Sequence, residues 1–293
     1  KPTFPMRYTN KKILKITFPV LVCLLMEQLI GLTDTAYLGR VGEAELGASA
    51  LAGIFYLMIF MLGFGFSIGA QILIARRNGA KEYSQIGPLF MQSTAFLLLM
   101  ALVLFILSKV FVARIMGTLI EAPDVREAAV RYLDYRVYGF FFAYVGSMFR
   151  AFYVGTTRTR ILTINSIVMV LTNVVLNYLL IFGKCGLPAL GIQGAAVATL
   201  LARITEFAVC SFCAVRSRLL PIQWRAFFRP GWEMLRRFVK YSSPVILNET
   251  AWGLGNSMLT VILGYTDNSV EMLAANAVMG NLCLLYTSPS PRD

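Results

Sequence analysis

Two carboxylates, Glu27 and Asp34, stand in the segment from Lys11 to Gly42, which is otherwise long and apolar and is broken by Pro19. A charge near the middle of a bilayer costs about 2.5 to 3.5 kcal/mol on insertion scales, so such acids face a partner, a water-filled cavity or the interface. Seven residues is nearly two helical turns, which puts both acids on one face, roughly 10 Å apart along the axis. Cys23 and Gly31 fall on the same stripe. The chemistry open to this seam is reversible cation binding. Other polar groups recur at helical spacing: Asn165, Asn173 and Asn177 on one stripe, Arg203 and Glu206 one turn apart, and Asn248, Glu249, Thr250 and Asn256 in a later segment. The amides read equally as interhelical hydrogen bonds or as cavity lining, and Arg203 with Glu206 reads as a structural pair.

Other chemistries are poorly supported. The chain has no histidine, which removes the usual general base and the commonest zinc ligand. Gly65-Phe-Ser67-Ile-Gly69 matches the hydrolase elbow pattern but lacks the strand-turn-helix setting and the histidine that pattern requires. With Gly63 it reads instead as small residues for close helix contact, and Gln71 follows as a cavity-lining candidate. The five cysteines lie mostly in apolar runs, including the Cys210-X-X-Cys213 pair, and no soluble redox fold surrounds them. The expectation is a protein that is not an enzyme and needs no cofactor.

Composition supplies the elements that position these groups. At 57% hydrophobic and 14% charged residues, with a mean hydropathy of +0.67, the chain is an all-α polytopic membrane protein, partnered by the lipid bilayer. Seven segments are long enough to span, near 13–37, 46–74, 88–110, 133–155, 161–183, 191–214 and 239–264, and an eighth begins near 271. The formal charge of +12 comes from short clusters between spans, so it marks topology and not nucleic acid. Seventeen bases fall in the N-terminal arm and even-numbered loops against six in the others, which predicts a cytoplasmic N-terminus. An amphipathic helix starting at Pro123 is expected to lie on the outer surface and lead into the fourth span. The sixth loop, with Trp224, Phe227, Phe228 and Trp232, is expected at the inner headgroups.

The chain also repeats itself. Lys11-Lys12-Ile-Leu-Lys15-Ile-Thr-Phe-Pro19 matches Arg236-Arg237-Phe-Val-Lys240-Tyr-Ser-Ser-Pro244. Six spans separate the two starts, an even number, so the copies are parallel repeats, one of the designs found in transporters. This divides the chain into a six-helix N-terminal lobe over 1–215, a cytoplasmic linker over 216–238 and the start of a second lobe over 239–285. The polar, proline-rich 286–293 departs from the repeat and reads as a non-native tail. Pro19 and its twin Pro244 are the expected hinges. The repeat also sets Glu249 near the depth of Glu27. Counted from the basic residues at the inner surface, they lie about 14 and 18 Å in, with Asp34 at about 28 Å.

Taken together, Gly31-Leu-Thr-Asp34-Thr-Ala-Tyr-Leu-Gly39-Arg-Val-Gly42, Ala122-Pro-Asp-Val125, Asn173-Val-Val-Leu-Asn177 and Gly191-Ile-Gln-Gly194-Ala-Ala-Val-Ala-Thr199 resemble the multidrug and toxic compound extrusion (MATE) transporters. The resemblance implies two six-helix lobes around a V-shaped cavity, in a monomer of the bacterial inner membrane, exporting small organic cations in exchange for protons or sodium. It implies that Asp34 is the first-helix coupling aspartate, with sodium a candidate ligand there, that Glu249 is the seventh-helix acid of some members, and that Asn173 is the family's fifth-helix asparagine. Asn177 stands where several members carry a second aspartate, which makes Glu27 a candidate substitute. The alternative reading is a lipid-linked oligosaccharide flippase, for which Arg150 and Arg203 are the available cavity arginines.

Overall fold

In a computed structural model of the chain, residues 10–120, 122–216, 227 and 231–264 are described. They form eight helices: α1 (Asn10–Leu38), α2 (Glu43–Gly79), α3 (Tyr83–Leu119), α4 (Pro123–Arg136), α5 (Gly139–Gly155), α6 (Arg160–Phe182), α7 (Ile192–Arg216) and α8 (Trp232–Gly264). The eighth expected span, the tail and most of the sixth loop lie outside the described residues. Five of the helices are long and apolar enough to cross a membrane, or six if α4 and α5, bent by 53° at their junction, form one span. In lipid the helix is the element that satisfies every backbone N–H and C=O within one segment, so the apolar runs become helices.

The amphipathic segment does start at Pro123, but it does not lie on the surface. Ala128, Ala129, Tyr132 and Leu133 are buried, and α4 packs against α2 and α7. Only Val137 and Tyr138 separate it from α5. The stripe is carried by small and aromatic residues that fit between helices, so α4 packs within the bundle. α8 begins at Trp232, earlier than the expected 239, and runs unbroken through Pro244, as α1 does through Pro19.

α5 is the centre of the bundle, with Phe140, Tyr144, Phe152 and Tyr153 fully buried. Tyr56 of α2 stacks on Phe140 at 4.8 Å between centroids. Tyr144 donates to the Ile59 carbonyl at 2.7 Å and Tyr153 to the Cys210 carbonyl at 2.9 Å, so each buried phenol is satisfied. The glycines of α2 admit neighbours as their spacing suggests. A Cβ on Gly65 would lie 2.9 Å from Ile246 Cγ1, and one on Gly69 would lie 2.8 Å from Ser242 Cα, both on α8.

α1 and α6 are remote in sequence and run side by side. Thr163 donates to the Pro19 carbonyl, Ser166 to Cys23 and Asn177 to Asp34, pairs separated by a nearly constant 144, 143 and 143 residues. A constant offset means parallel helices in register. The stripe of α1 that carries both acids therefore faces the asparagine stripe of α6.

Candidate cation-coupling site

Asp34 and Glu27 share a face of α1 yet serve different partners. Asp34 Oδ1 accepts a hydrogen bond from Asn177 Nδ2 at 2.5 Å. The same amide nitrogen donates to Asn173 Oδ1 at 3.0 Å, and Asn173 Nδ2 donates to Thr199 Oγ1 of α7 at 3.4 Å. Arg136, the last residue of α4, donates to that hydroxyl at 3.2 Å and to Tyr132 Oη at 2.5 Å. Its guanidinium sits over the rings of Tyr56 and Tyr132, 4.8 and 5.2 Å from their centroids. One polar chain thus joins α1, α6, α7 and the α4–α5 bend.

Below it, Glu27 forms an ion pair with Arg150 of α5. Arg150 also donates to Cys23 Sγ at 3.6 Å, and Ser166 donates to the same sulfur at 2.9 Å. Arg203 pairs with Glu206 at 2.8 Å across one turn of α7, as their spacing suggests. Glu206 lies against Gly146, whose missing side chain makes room for the carboxylate. Both arginines named as candidate cavity arginines therefore already neutralise an acid.

Asn173 and Asn177 are fully buried. They are not open cavity lining; they occupy the seam between α1, α6 and α7, where amides can satisfy one another and a carboxylate. Gln71 is half-buried on α2, and Glu249 is half-buried on α8. The side chain of Asn256 lies outside the described residues. Pro19 is buried while Pro244 is exposed, so the two expected hinges have different surroundings. Cys23 and Cys210 are buried and Cys185 is exposed, each free. Glu27 does not join the Asp34 chain; the two acids share a face of α1 but sit in separate clusters.

Arg136 is the residue that sequence reading passed over. The signal was present: assigning the bases to loops leaves Arg136 within the expected fourth span with no partner named, and an intramembrane cation calls for the same scrutiny as an intramembrane acid.

The MatE family model matches residues 19–179, which include Asp34, Asn173, Asn177 and Arg136. The chain belongs to the MatE family. Its relatives include the probable multidrug resistance protein NorM of Idiomarina loihiensis, 25% identical, over 90% of this chain and 58% of that protein. The NorM counterpart of Bacillus subtilis is 25% identical over 99% of this chain and 64% of its own length. The multidrug resistance protein PmpM of Pseudomonas aeruginosa is 29% identical over 64% and 40%. The chain spans less than two thirds of the length of each. In fold it matches a multidrug resistance MATE family transporter of the MOP superfamily solved in an outward-facing conformation. That match has a TM-score of 0.83 at 19% identity and covers 94% of this chain and 60% of that one. A MOP superfamily transporter from Pyrococcus furiosus matches with the same TM-score and coverage. The relatives named here are multidrug resistance proteins, and this chain shares their family and, with the solved transporters, their fold.

Proposed function

We propose that the complete protein is a secondary antiporter of the bacterial inner membrane. It exports cationic, drug-like organic compounds by alternating access, in exchange for protons or sodium, and its N-terminus faces the cytoplasm. Asp34 carries the coupling, and the observation behind this is its isolation. Glu27 and Glu206 are each held in contact with an arginine, whereas Asp34 is held by neutral amides and, among the described residues, makes no ion pair of its own, Arg136 acting on it from further away. A carboxylate neutralised by an ion pair is a fixed part of the scaffold. One held by amides changes its attraction for a cation each time it binds or loses the coupling ion. To drive transport, that ion must prefer one facing state over the other, since equal affinity for both shifts nothing.

In this scheme residues 1–215 form one lobe and residues from 239 begin the other, with Glu249 the acid that the second lobe contributes. The test is ethidium efflux from vesicles containing the full-length protein. Asp34→Asn is expected to reduce efflux to the level of empty vesicles, and wild-type efflux by that variant would overturn the assignment.

A further inference from the structure

Among the described residues, the polar seams between the helices hold three acids and three arginines, and they are not paired alike. Glu27 touches Arg150 and Glu206 touches Arg203. Asp34 and Arg136 are instead held apart, joined through Asn177, Asn173 and Thr199. The chain has a direction, and Arg136 sets it. A guanidinium only donates, so Thr199 Oγ1 accepts from Arg136. The Thr199 hydrogen is committed to the Ala195 carbonyl at 3.0 Å, so Asn173 must turn its NH2 towards Thr199 and its carbonyl towards Asn177. Asn177 must then present its own NH2 to Asn173 and to Asp34. This leaves Asn177 Oδ1 buried with no partner among the described residues.

We propose that Arg136 selects the coupling ion: by orienting this chain it fills the Asp34 site with N–H donors, so that Asp34 takes up a proton and sodium is refused. The proposal rests on Asp34 being the coupling carboxylate. A hard cation is bound by several oxygen lone pairs, yet the side-chain oxygens of Asn173 and Thr199 and one oxygen of Asp34 already accept N–H groups. A proton needs a single lone pair. It forms an O–H bond on the other Asp34 oxygen, taken from water on one side of the membrane and returned to water on the other. Protonated on that oxygen, Asp34 still accepts the Asn177 N–H on Oδ1, so the direction of the chain is the same in both states. The titratable and charged groups around Asp34 are few. α4 brings Tyr132 and Arg136, and α2 brings Tyr56 beneath the guanidinium. α6 brings the neutral amides, and α7 brings Thr199 together with the paired Arg203 and Glu206. On α1 itself, Glu27 is held by Arg150.

The full-length protein in proteoliposomes, with ethidium as the probe, is given either a proton gradient or a sodium gradient. The wild type is expected to respond to the proton gradient alone. Arg136→Gln removes the obligatory donor and frees Thr199 and the amides to turn their oxygens inward, so its sodium-driven transport is expected to rise about tenfold over the wild type. Arg136→Lys keeps a donor-only cation and should behave as the wild type does. Independently of transport, purified Arg136→Gln protein should bind radiolabelled sodium where the wild type does not, and adding Asp34→Asn should remove that binding. A wild type driven as well by sodium as by protons overturns the proposal. So does a folded Arg136→Gln protein that binds no more sodium than the wild type. If Arg136→Gln does not fold, the wild-type gradients and Arg136→Lys decide. An active Asp34→Asn protein would instead overturn the coupling role of Asp34, whatever the ion.

Discussion

Asn177 spends both amide hydrogens, one on Asp34 and one on Asn173, and has no second way to serve the carboxylate. A hydrogen bond to a charged group is worth about 1.5 to 3 kcal/mol. Asn177→Leu should therefore cut efflux by roughly tenfold or more, measured as the initial rate of dye loss from vesicles. Glu27 and Arg150 make a different prediction. Removing one partner of this half-buried ion pair leaves the other charge without its counter-charge, which is destabilising. Glu27→Gln or Arg150→Met alone should lower the melting temperature in detergent, and the double variant should recover part of the loss. Two acids on one stripe of α1 were legible from their spacing. Their separate fates were not, because the deciding arginines come from α5 and from the end of α4.

At the scale of the helix, close approach through glycine is the main device. Gly69 lies against Ser242, whose hydroxyl donates to the Phe238 carbonyl of its own helix at 2.8 Å and sits 3.4 Å from the Phe66 carbonyl of α2. Arg76 donates to Tyr241 at 2.8 Å further along the same interface. Gly69→Leu should separate α2 from α8, with an overpacking cost of about 1 to 3 kcal/mol, read as a lower melting temperature. Gly31 is the contrasting case, since a Cβ there meets nothing within 4 Å. Gly31→Ala should leave stability unchanged or raise it by about 0.5 to 1 kcal/mol, as expected for a glycine inside a helix. Glycine spacing predicted the contact surface of α2 correctly. Amphipathicity misplaced α4, because a stripe of small and aromatic residues fits a groove between helices as well as it fits a membrane surface.

For the whole molecule, the distribution of basic residues sets the expected orientation. It places the turn between α6 and α7 outside the cell, and that turn carries Cys185, free and exposed. A membrane-impermeant maleimide applied to intact cells should label the full-length protein, and Cys185→Ser should remove that labelling. Labelling of Cys185 only after the cells are opened would reverse the topology. The parallel register of α1 and α6 is the large-scale feature on which the site depends, since it brings Asp34 to Asn177 across 143 residues of chain.

Composition and hydropathy alone determined that the chain is helical and membrane-spanning. Periodicity alone placed Glu27 with Asp34, and Asn173 with Asn177, on common faces. These readings succeed because each depends on neighbours three to seven residues away, a range that helix geometry links directly to sequence. Tertiary structure decided which acid is neutralised and which is left to amides. It also decided that Arg136, at the bend between α4 and α5, stands at the far end of the Asp34 chain. Those outcomes depend on contacts between helices far apart in sequence, and no local spacing encodes which arginine will reach which carboxylate.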